Sequence, residues 1–274
     1  ILSADQLHGL KLAWGNGEAA VALVEEMIDQ RGLGAILGKG VYEAAKIIGN
    51  GSEQYAMTTK KTGINEQGIR SHRAWALGIL TSTRGSGHLG GSPQVENRQI
   101  SAELGNRVFK NPMAGVPDAY DGKGKLVAWS SGVKVLIDSL GLCYFAYSWY
   151  DVSIGNPYDL VEMLYLATGV RMSVDELMQR GLRCHHLERY LSYVFGGYTR
   201  KDDMVPDRFF DTPVSDGRYK GARLDHEKVD AMLDEYYETL GWDVESGLPT
   251  AEFLTEQGLG YLLEISPSAE MTTK

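Results

Sequence analysis

The chain has 274 residues, long enough for one large domain or about two ordinary ones. Its composition, 43% hydrophobic and 23% charged, is that of a folded globular protein, and its net charge of −9 argues against a general affinity for nucleic acid or anionic membranes. No apolar run is long enough to span a bilayer and no signal-like segment opens the chain, so we expect a cytoplasmic protein.

Hydrophobic spacing predicts helices through the first half of the chain. The first begins at the capping residue Asn16 and runs through GEAAVALVEEMIDQ. The only convincing strand is YAMTTKKTGI, which is rich in threonine. A glycine-rich loop, TRGSGHLGGSP, follows later. The other predicted helices of this half are VYEAAKIIG, IRSHRAWALGILTS and VENRQISAELGNRVF.

The next predicted helix, from Lys125 to Leu140, is expected to be buried because its apolar residues fall on one helical stripe. These residues are Leu126, Trp129, Val133, Leu136 and Leu140. Three later helices are predicted for PYDLVEMLYLATG, SVDELMQRGLRCHHLERYLSYVFG and LDHEKVDAMLDEYYETLGW, the last of them after a long loop. The predicted fold class is therefore mainly α, with at most a small sheet.

Domain boundaries are weakly marked, because composition changes little along the chain. The lysine-bearing stretch around residues 58 to 66 is the best candidate for a junction. We predict two helical domains, residues 1–62 and 63–274. The chain begins at Ile1 rather than at methionine, which we interpret as a sign that it is part of a longer polypeptide.

Asp138 lies in the last turn of the predicted buried helix, and Cys143 lies just after its C-terminal end. On an unbroken helix they would point in different directions, but Gly141 offers a break after which both could face one bound group. An aspartate can accept paired N–H donors and a cysteine can ligate iron or zinc. The alternative is structural: Asp138 pairs with Lys134 one turn back, and the cysteine packs among its apolar neighbours.

The glycine-rich loop is the second place where chemistry is concentrated. Its glycines would let backbone approach a ligand closely, while Arg84 and His88 supply a fixed cation and a group that titrates near neutral pH. The loop lacks the spacing of a Walker or dinucleotide fingerprint. A flexible surface loop is the alternative interpretation.

The chain has only two cysteines, Cys143 and Cys184, too few for a disulfide framework or for a four-thiolate metal site made by this chain alone. Cys184 adjoins His185 and His186 on a predicted helix. We interpret these three residues as structural, because adjacent side chains on a helix point about 100° apart. A zinc-binding module that adds His226 is the alternative.

Two motifs resemble the tungsten-containing aldehyde ferredoxin oxidoreductase family. DGKGKLVAWSSGVKVLIDSLGLC resembles its pterin and cluster motif, which has the pattern Asp-x-x-Gly-Leu-Cys, and TRGSGHL resembles its Arg-Gly-x-x-His-Leu loop. Further stretches resemble the family in the same order along the whole chain. They are LKLAWGNGEA, GLGAILGKGVYEAAKIIGNGSEQYAM, LERYLSYVFGGYTRKDDMVPDRF and LGWDVESGLPTAEFLTEQGL. The chain thus resembles the C-terminal half of the family, domains 2 and 3, without the β-rich first domain and the three closely spaced cysteines.

The resemblance implies a role for each matching residue. Asp138 would bind the amino-pyrimidine edge of the pterin, with Gly141 and Leu142 allowing close backbone approach. Cys143 would be the fourth iron ligand, and His88 would lie beside the metal as a proton donor or acceptor. The other loop residues implied at the cofactor are Arg84, Gly85 and Leu89.

The resemblance also implies a reaction and partners. A tungsten or molybdenum bis-molybdopterin enzyme of anaerobic metabolism would oxidise small aldehydes to carboxylic acids and pass electrons through a [4Fe-4S] cluster to ferredoxin or a related carrier. This chain would be incomplete and inactive without the missing N-terminal half. A homodimer is compatible with the family.

Two other functions stay open at this point. Gly90 and Gly91 follow the His-Leu pair where family members often have a basic residue. This departure keeps an aryl-CoA reductase of the benzoyl-CoA type, acting on an aryl substrate, in consideration. The other alternative is a non-catalytic helical fragment that lacks cofactor.

Overall fold

The computed structural model describes residues 2, 7, 9–64, 68–144 and 157–265. In these residues the chain is mainly α-helical, which confirms the predicted fold class, and none of the helices is long and apolar enough to cross a bilayer. The α-helices are α1 (Gly17–Ile28), α2 (Gly32–Leu37), α3 (Val41–Ile48), α4 (Arg73–Leu80), α5 (Val95–Arg98), α6 (Ala102–Phe109), α7 (Lys123–Ser139), α8 (Pro157–Thr168), α9 (Val174–Gly196), α10 (Arg208–Asp211), α11 (His226–Leu240) and α12 (Ala251–Glu256). The strands form two antiparallel hairpins, β1 (Thr58–Thr59) with β2 (Thr62–Gly63) and β3 (Trp242–Asp243) with β4 (Leu248–Pro249).

Helix α7 is the central element, and it packs against α4, α9 and α11. Glycines at two crossings bring the backbones into contact. A Cβ added at Gly181 of α9 would lie 2.5 Å from Gly132 O, and one added at Gly124 would lie 2.6 Å from Tyr236 N. Helix α7 is buried on nearly all sides, rather than along one stripe, as far as Ile137, so its position in the core is fixed up to the last turn.

Two predicted elements differ from the observed ones. The predicted strand YAMTTKKTGI is a hairpin, because Lys60 and Lys61 take φ values of +47° and +60° and form the two-residue turn between β1 and β2. The predicted single helix VENRQISAELGNRVF is broken into α5 and α6. Gln99 takes a φ of +51°, and Ser101 caps α6 by accepting a hydrogen bond from Leu104 N at 3.2 Å.

A buried ionic cluster fixes the first hairpin to the helical core. Asp203 Oδ1 lies 2.5 Å from Lys60 Nζ, and its Oδ2 lies 2.7 Å from Arg189 Nη2. The Tyr237 hydroxyl donates to Asp203 Oδ2 at 2.5 Å. All three charged side chains of the cluster are fully buried. The predicted domain boundary falls inside this hairpin, and the division into domains stays a prediction.

A second buried ion pair holds the start of α4 against α7. Glu96 accepts hydrogen bonds from Ala74 N at 3.0 Å and Trp75 N at 2.9 Å, so it caps the N-terminus of α4. Lys123 Nζ lies 2.7 Å from Glu96 Oε1 and also donates to two carbonyl groups. Burial raises the pKa of Glu96 and lowers that of Lys123. The pair therefore fixes the helix that carries the candidate-site loop.

Candidate functional site

The C-terminal end of α7 breaks as the sequence predicts. Gly141 takes a φ of +70°, with Gly141 N donating to Asp138 O at 3.1 Å and Leu142 N donating to Ile137 O at 3.0 Å. These two hydrogen bonds and the left-handed glycine form a Schellman motif. A Cβ added at Gly141 would meet no atom of the described residues within 4 Å.

Asp138 and Cys143 are both exposed on the two sides of this turn. The Asp138 side chain keeps 52% of its surface exposed, although its Oδ1 lies 2.5 Å from Lys134 Nζ. Cys143 is a free, exposed thiol. The structural alternative is therefore observed for the aspartate, which pairs with Lys134, but not for the cysteine, which is not packed in the core. A thiol and a carboxylate flank one rigid turn.

Ser92, near the C-terminal end of the glycine-rich loop, connects that loop to this turn. The Tyr144 hydroxyl donates to Ser92 O at 3.4 Å, and Ser92 N donates to His88 O at 3.1 Å. Ser92 Oγ donates to Trp75 O at 2.9 Å. The ring of Tyr144 also lies 4.7 Å from Lys134 Nζ, the partner of Asp138. Two motifs that are distant in sequence are thus joined through one buried serine.

The glycine-rich loop is packed rather than free. Gly85 takes a φ of +86°, and a Cβ added there would lie 2.8 Å from Thr62 Oγ1. The Ser86 hydroxyl donates to Gly63 O, which ties the loop to the first hairpin. A Cβ at Gly90 would lie 2.6 Å from Ser82 Oγ. A side chain at these positions would displace the loop, so the glycines permit its close packing.

His88 stacks on Trp75, with ring centroids 5.1 Å apart and planes 20° from parallel. Burial lowers the pKa of His88 below its ordinary value, so the imidazole is neutral near neutral pH. Trp75 Nε1 is buried and has no hydrogen-bond partner within the described residues. This donor beside His88 would be satisfied by an acceptor on a bound group. Arg84 is exposed, and Leu89 is partly buried.

Replacing Gly78 by alanine is expected to lower the free energy of unfolding by about 1–3 kcal/mol, although alanine favours helix more than glycine does. The new Cβ would lie 2.5 Å from Ser92 N and 2.6 Å from Ser92 Cα, so the loop would be pushed away from α4. Chemical denaturation measures the change. Gly87→Ala, in the loop that Gly78 contacts, is the control, because its Cβ would meet no atom of the described residues within 4 Å. Equal stability of the two variants would contradict the close packing.

The histidines of α9 take part in the core. His185 Nε2 lies 2.7 Å from the Tyr236 hydroxyl, and Trp242 Nε1 donates to His186 Nδ1 at 3.0 Å. Burial lowers the pKa of His186 to about 3 and keeps it neutral. His226 stacks on Phe210 at 3.7 Å. No three His, Cys, Asp or Glu side chains cluster as a metal site in the part of the chain that the structure describes.

Comparison with known families identifies the chain. The family model described as "Aldehyde ferredoxin oxidoreductase, domains 2 & 3" matches residues 1–259. The chain belongs to the aldehyde ferredoxin oxidoreductase family. This confirms the resemblance seen in the sequence, including its assignment to domains 2 and 3. The family model does not test the roles of the individual site residues, which stay predictions.

Relatives within the aldehyde ferredoxin oxidoreductase family include proteins from Pyrococcus species. The tungsten-containing aldehyde ferredoxin oxidoreductase of Pyrococcus horikoshii is 30% identical over 90% of this chain and 37% of its own length. The protein of that name from Pyrococcus furiosus is 28% identical over the same shares. The aliphatic sulfonate oxidoreductase, WOR-like subunit, of Pyrococcus furiosus is 29% identical over 95% of this chain. The chain spans about 37% of the length of these relatives.

A solved structure has a similar fold. The active-site complex BamBC of benzoyl coenzyme A reductase, in complex with 1,5-dienoyl-CoA, matches with a TM-score of 0.68 and 22% identity. The match covers 96% of this chain and 42% of the solved chain. The likeness confirms the mainly α fold.

Three residues of the site are missed by sequence reasoning: Trp75, Ser92 and Tyr144. Trp75 lies in an apolar run, which indicates only a core helix. Ser92 lies within the glycine-rich loop and Tyr144 directly follows Cys143, but neither is a defining residue of either motif. The roles of these residues come from contacts between segments that are distant in sequence, so no local sequence pattern predicts these roles.

Proposed function

We propose that this chain is the cofactor-holding C-terminal part of a tungsten or molybdenum bis-pterin oxidoreductase that oxidises aldehydes to carboxylic acids. Electrons would leave through a [4Fe-4S] cluster to ferredoxin. The observation that supports this most is the Tyr144–Ser92–His88 connection, which joins the exposed Asp138 and Cys143 turn to the histidine loop. Tungsten in the names of the relatives supports the metal.

The residues of the turn fit the implied cofactors. An exposed thiol is a suitable iron ligand, and Cys143 would supply one thiolate while the others come from outside this chain. The exposed Asp138 carboxylate has lone pairs beyond those facing Lys134, so it can accept paired N–H donors of a pterin edge. Gly141 carries no side chain, and within the described residues no atom lies within 4 Å of the position that its Cβ would take, so a bound group can approach the backbone closely.

A bound tungsten pterin would supply the electron-accepting chemistry. The residues of this chain would supply position and proton transfer. Trp75 fixes the plane of the His88 ring, and the lowered pKa of His88 leaves a ring nitrogen able to accept a proton near neutral pH. Arg84, Gly85 and Leu89 would form the loop wall around the cofactor. The rigid packing of the loop would keep these groups oriented.

Replacing Cys143 by serine is expected to remove iron from the complete polypeptide and to abolish electron transfer to ferredoxin, because a hydroxyl is a much poorer iron ligand than a thiolate. Elemental analysis and the electron paramagnetic resonance spectrum of the reduced cluster measure this. Cys184→Ser is the matched control, since that cysteine is partly buried on α9, and it should retain full iron content. A Cys143→Ser protein that keeps the iron content and spectrum of the control would refute the ligand role.

Two separate assays of the complete enzyme, one with aldehydes and one with benzoyl-CoA, distinguish aldehyde oxidation from aryl-CoA reduction. The proposal predicts turnover with aldehydes and a viologen or ferredoxin acceptor. Turnover with benzoyl-CoA and a strong reductant, without aldehyde oxidation, would replace aldehyde oxidation by aryl-CoA reduction and leave the cofactor roles unchanged.

A further inference from the structure

A cationic cleft of about 620 Å³ lies between the start of α4, the loop of residues 115–118 and the loop before α11. Its charged lining residues are Arg73, Arg218, Lys220 and Asp118, so three cations face one carboxylate. The chain as a whole has a net charge of −9, which makes this local excess of positive charge unusual. None of the candidate-site residues lines the cleft.

Arg73 is the buried cation of this cleft, with only 7% of its surface exposed. Its Nη1 donates to Arg70 O, but its Nε is buried without a hydrogen-bond partner in the described residues. The guanidinium carbon lies 4.7 Å from the centroid of the Tyr120 ring. Buried arginines are normally paired with a carboxylate. Within the described part of the chain no carboxylate lies within 4.0 Å of the charged nitrogens of Arg73, Arg218 or Lys220.

Backbone hydrogen bonds hold the walls of the cleft in place. Arg73 N donates to Pro117 O at 2.8 Å, which fixes one wall. Val214 N donates to Ala222 O at 3.0 Å, and Gly221 N donates to Val214 O at 2.8 Å, which closes the loop that carries Arg218 and Lys220. The backbone that carries the cations is therefore ordered before any ligand arrives, and this lowers the cost of binding.

His72 adjoins the cleft and lies near its positively charged side chains. The ring of His72 lies 5.3 Å from that of Tyr219, a residue of the cleft wall. Burial lowers the pKa of His72, and the charges of Lys123, Arg218 and Arg73 lower it further. Two of these three cations, Arg218 and Arg73, line the cleft.

We infer that this cleft binds a small molecule through a phosphate or carboxylate group held by Arg73, Arg218 and Lys220. Arginine presents a planar fork of N–H donors that matches both groups, and a lysine adds a point charge. The Ser71 hydroxyl lines the same cleft and offers one more hydrogen-bonding group. The inference does not depend on the proposed oxidoreductase function.

Isothermal titration calorimetry of the complete polypeptide with inorganic pyrophosphate, and separately with citrate, tests the inference. Loss of two charge-assisted contacts in Arg218→Ala/Lys220→Ala is expected to weaken binding by about tenfold or more. Both substituted residues are exposed, so this variant is expected to fold. Tighter binding of pyrophosphate would identify a phosphate ligand, and tighter binding of citrate a carboxylate ligand, each in support of the site.

The matched control is Arg107→Ala/Lys110→Ala, which likewise removes one exposed arginine and one exposed lysine close together in the sequence, at α6. It should bind both probes as tightly as the unmodified protein. Arg73→Gln removes the buried cation and should abolish binding. Circular dichroism checks that this variant is folded. Absence of binding of both probes at millimolar concentration, or equal weakening by the α6 control, would overturn the inference.

Discussion

Replacing Asp203 by alanine is expected to lower the free energy of unfolding by about 3–5 kcal/mol, because it leaves two fully buried cations without their carboxylate. Lys60 and Arg189 both lie within 2.7 Å of Asp203. Chemical denaturation of the polypeptide measures the loss. Asp230→Ala is the matched control: Asp230 lies 3.5 Å from Arg200 at the surface with 54% of its side chain exposed. Its loss should cost at most about 1 kcal/mol.

The same cluster predicts how stability changes with acid. Burial alone would raise the pKa of Asp203, but the charges of Lys60 and Arg189 lower it below its ordinary value of 3.8. A carboxylate with a lowered folded-state pKa stabilises the protein above its unfolded-state pKa, and this stability is lost as the pH falls through the folded-state value. The difference in stability between the unmodified protein and Asp203→Ala should therefore shrink only below about pH 4. Equal stability of the unmodified protein and Asp203→Ala at neutral pH would contradict the stabilising role of the buried ionic cluster.

Replacing His88 by asparagine is expected to lower turnover of the complete enzyme by about 10²-fold or more while tungsten and iron are retained, the usual loss for a general acid or base. Steady-state aldehyde oxidation and elemental analysis measure the two quantities. His226→Asn is the control, because His226 is an exposed residue at the start of α11 that stacks on Phe210. Its turnover should equal that of the unmodified enzyme.

The pH profile provides a second readout for His88. Burial lowers the pKa of this imidazole, so the neutral, proton-accepting form dominates near neutral pH and is lost only as the solution becomes more acidic than the lowered pKa. Activity of the unmodified enzyme should fall on that acid side, and the fall should be absent in His88→Asn. Turnover of the variant within twofold of the unmodified enzyme would exclude His88 as the proton carrier.

Local signals in the sequence predict the helices well. The predicted cap of α1 is confirmed, since Ala19 N donates to Asn16 Oδ1 at 3.2 Å. It could be predicted because a helix cap depends only on residues within one turn. The break at Gly141 is confirmed for the same reason. Helix α2 is missed, because its glycine-rich sequence has low intrinsic helix propensity. Gly34 lets α2 lie against the backbone of α1, because a Cβ there would lie 2.3 Å from Met27 N, and this contact cannot be derived from propensity.

Contacts between distant segments are the part that the sequence does not predict. Lys60 stands in a stretch read as a strand, yet it turns the chain and is buried against Asp203. In the candidate site, too, contacts between distant segments are not predicted by the sequence. The residues that carry motifs, Asp138, Cys143 and His88, are found from the sequence, whereas Ser92, which joins them, is found only from the fold.

Anomalous diffraction at the iron and tungsten absorption edges, on crystals of the complete protein, tests the central claim most directly. The claim is that the turn after α7 and the histidine loop hold one redox assembly between them. We expect an iron peak within bonding distance of Cys143 Sγ and a tungsten peak between the Asp138 turn and His88. Iron bound away from Cys143, or tungsten remote from both the turn and His88, would contradict the account.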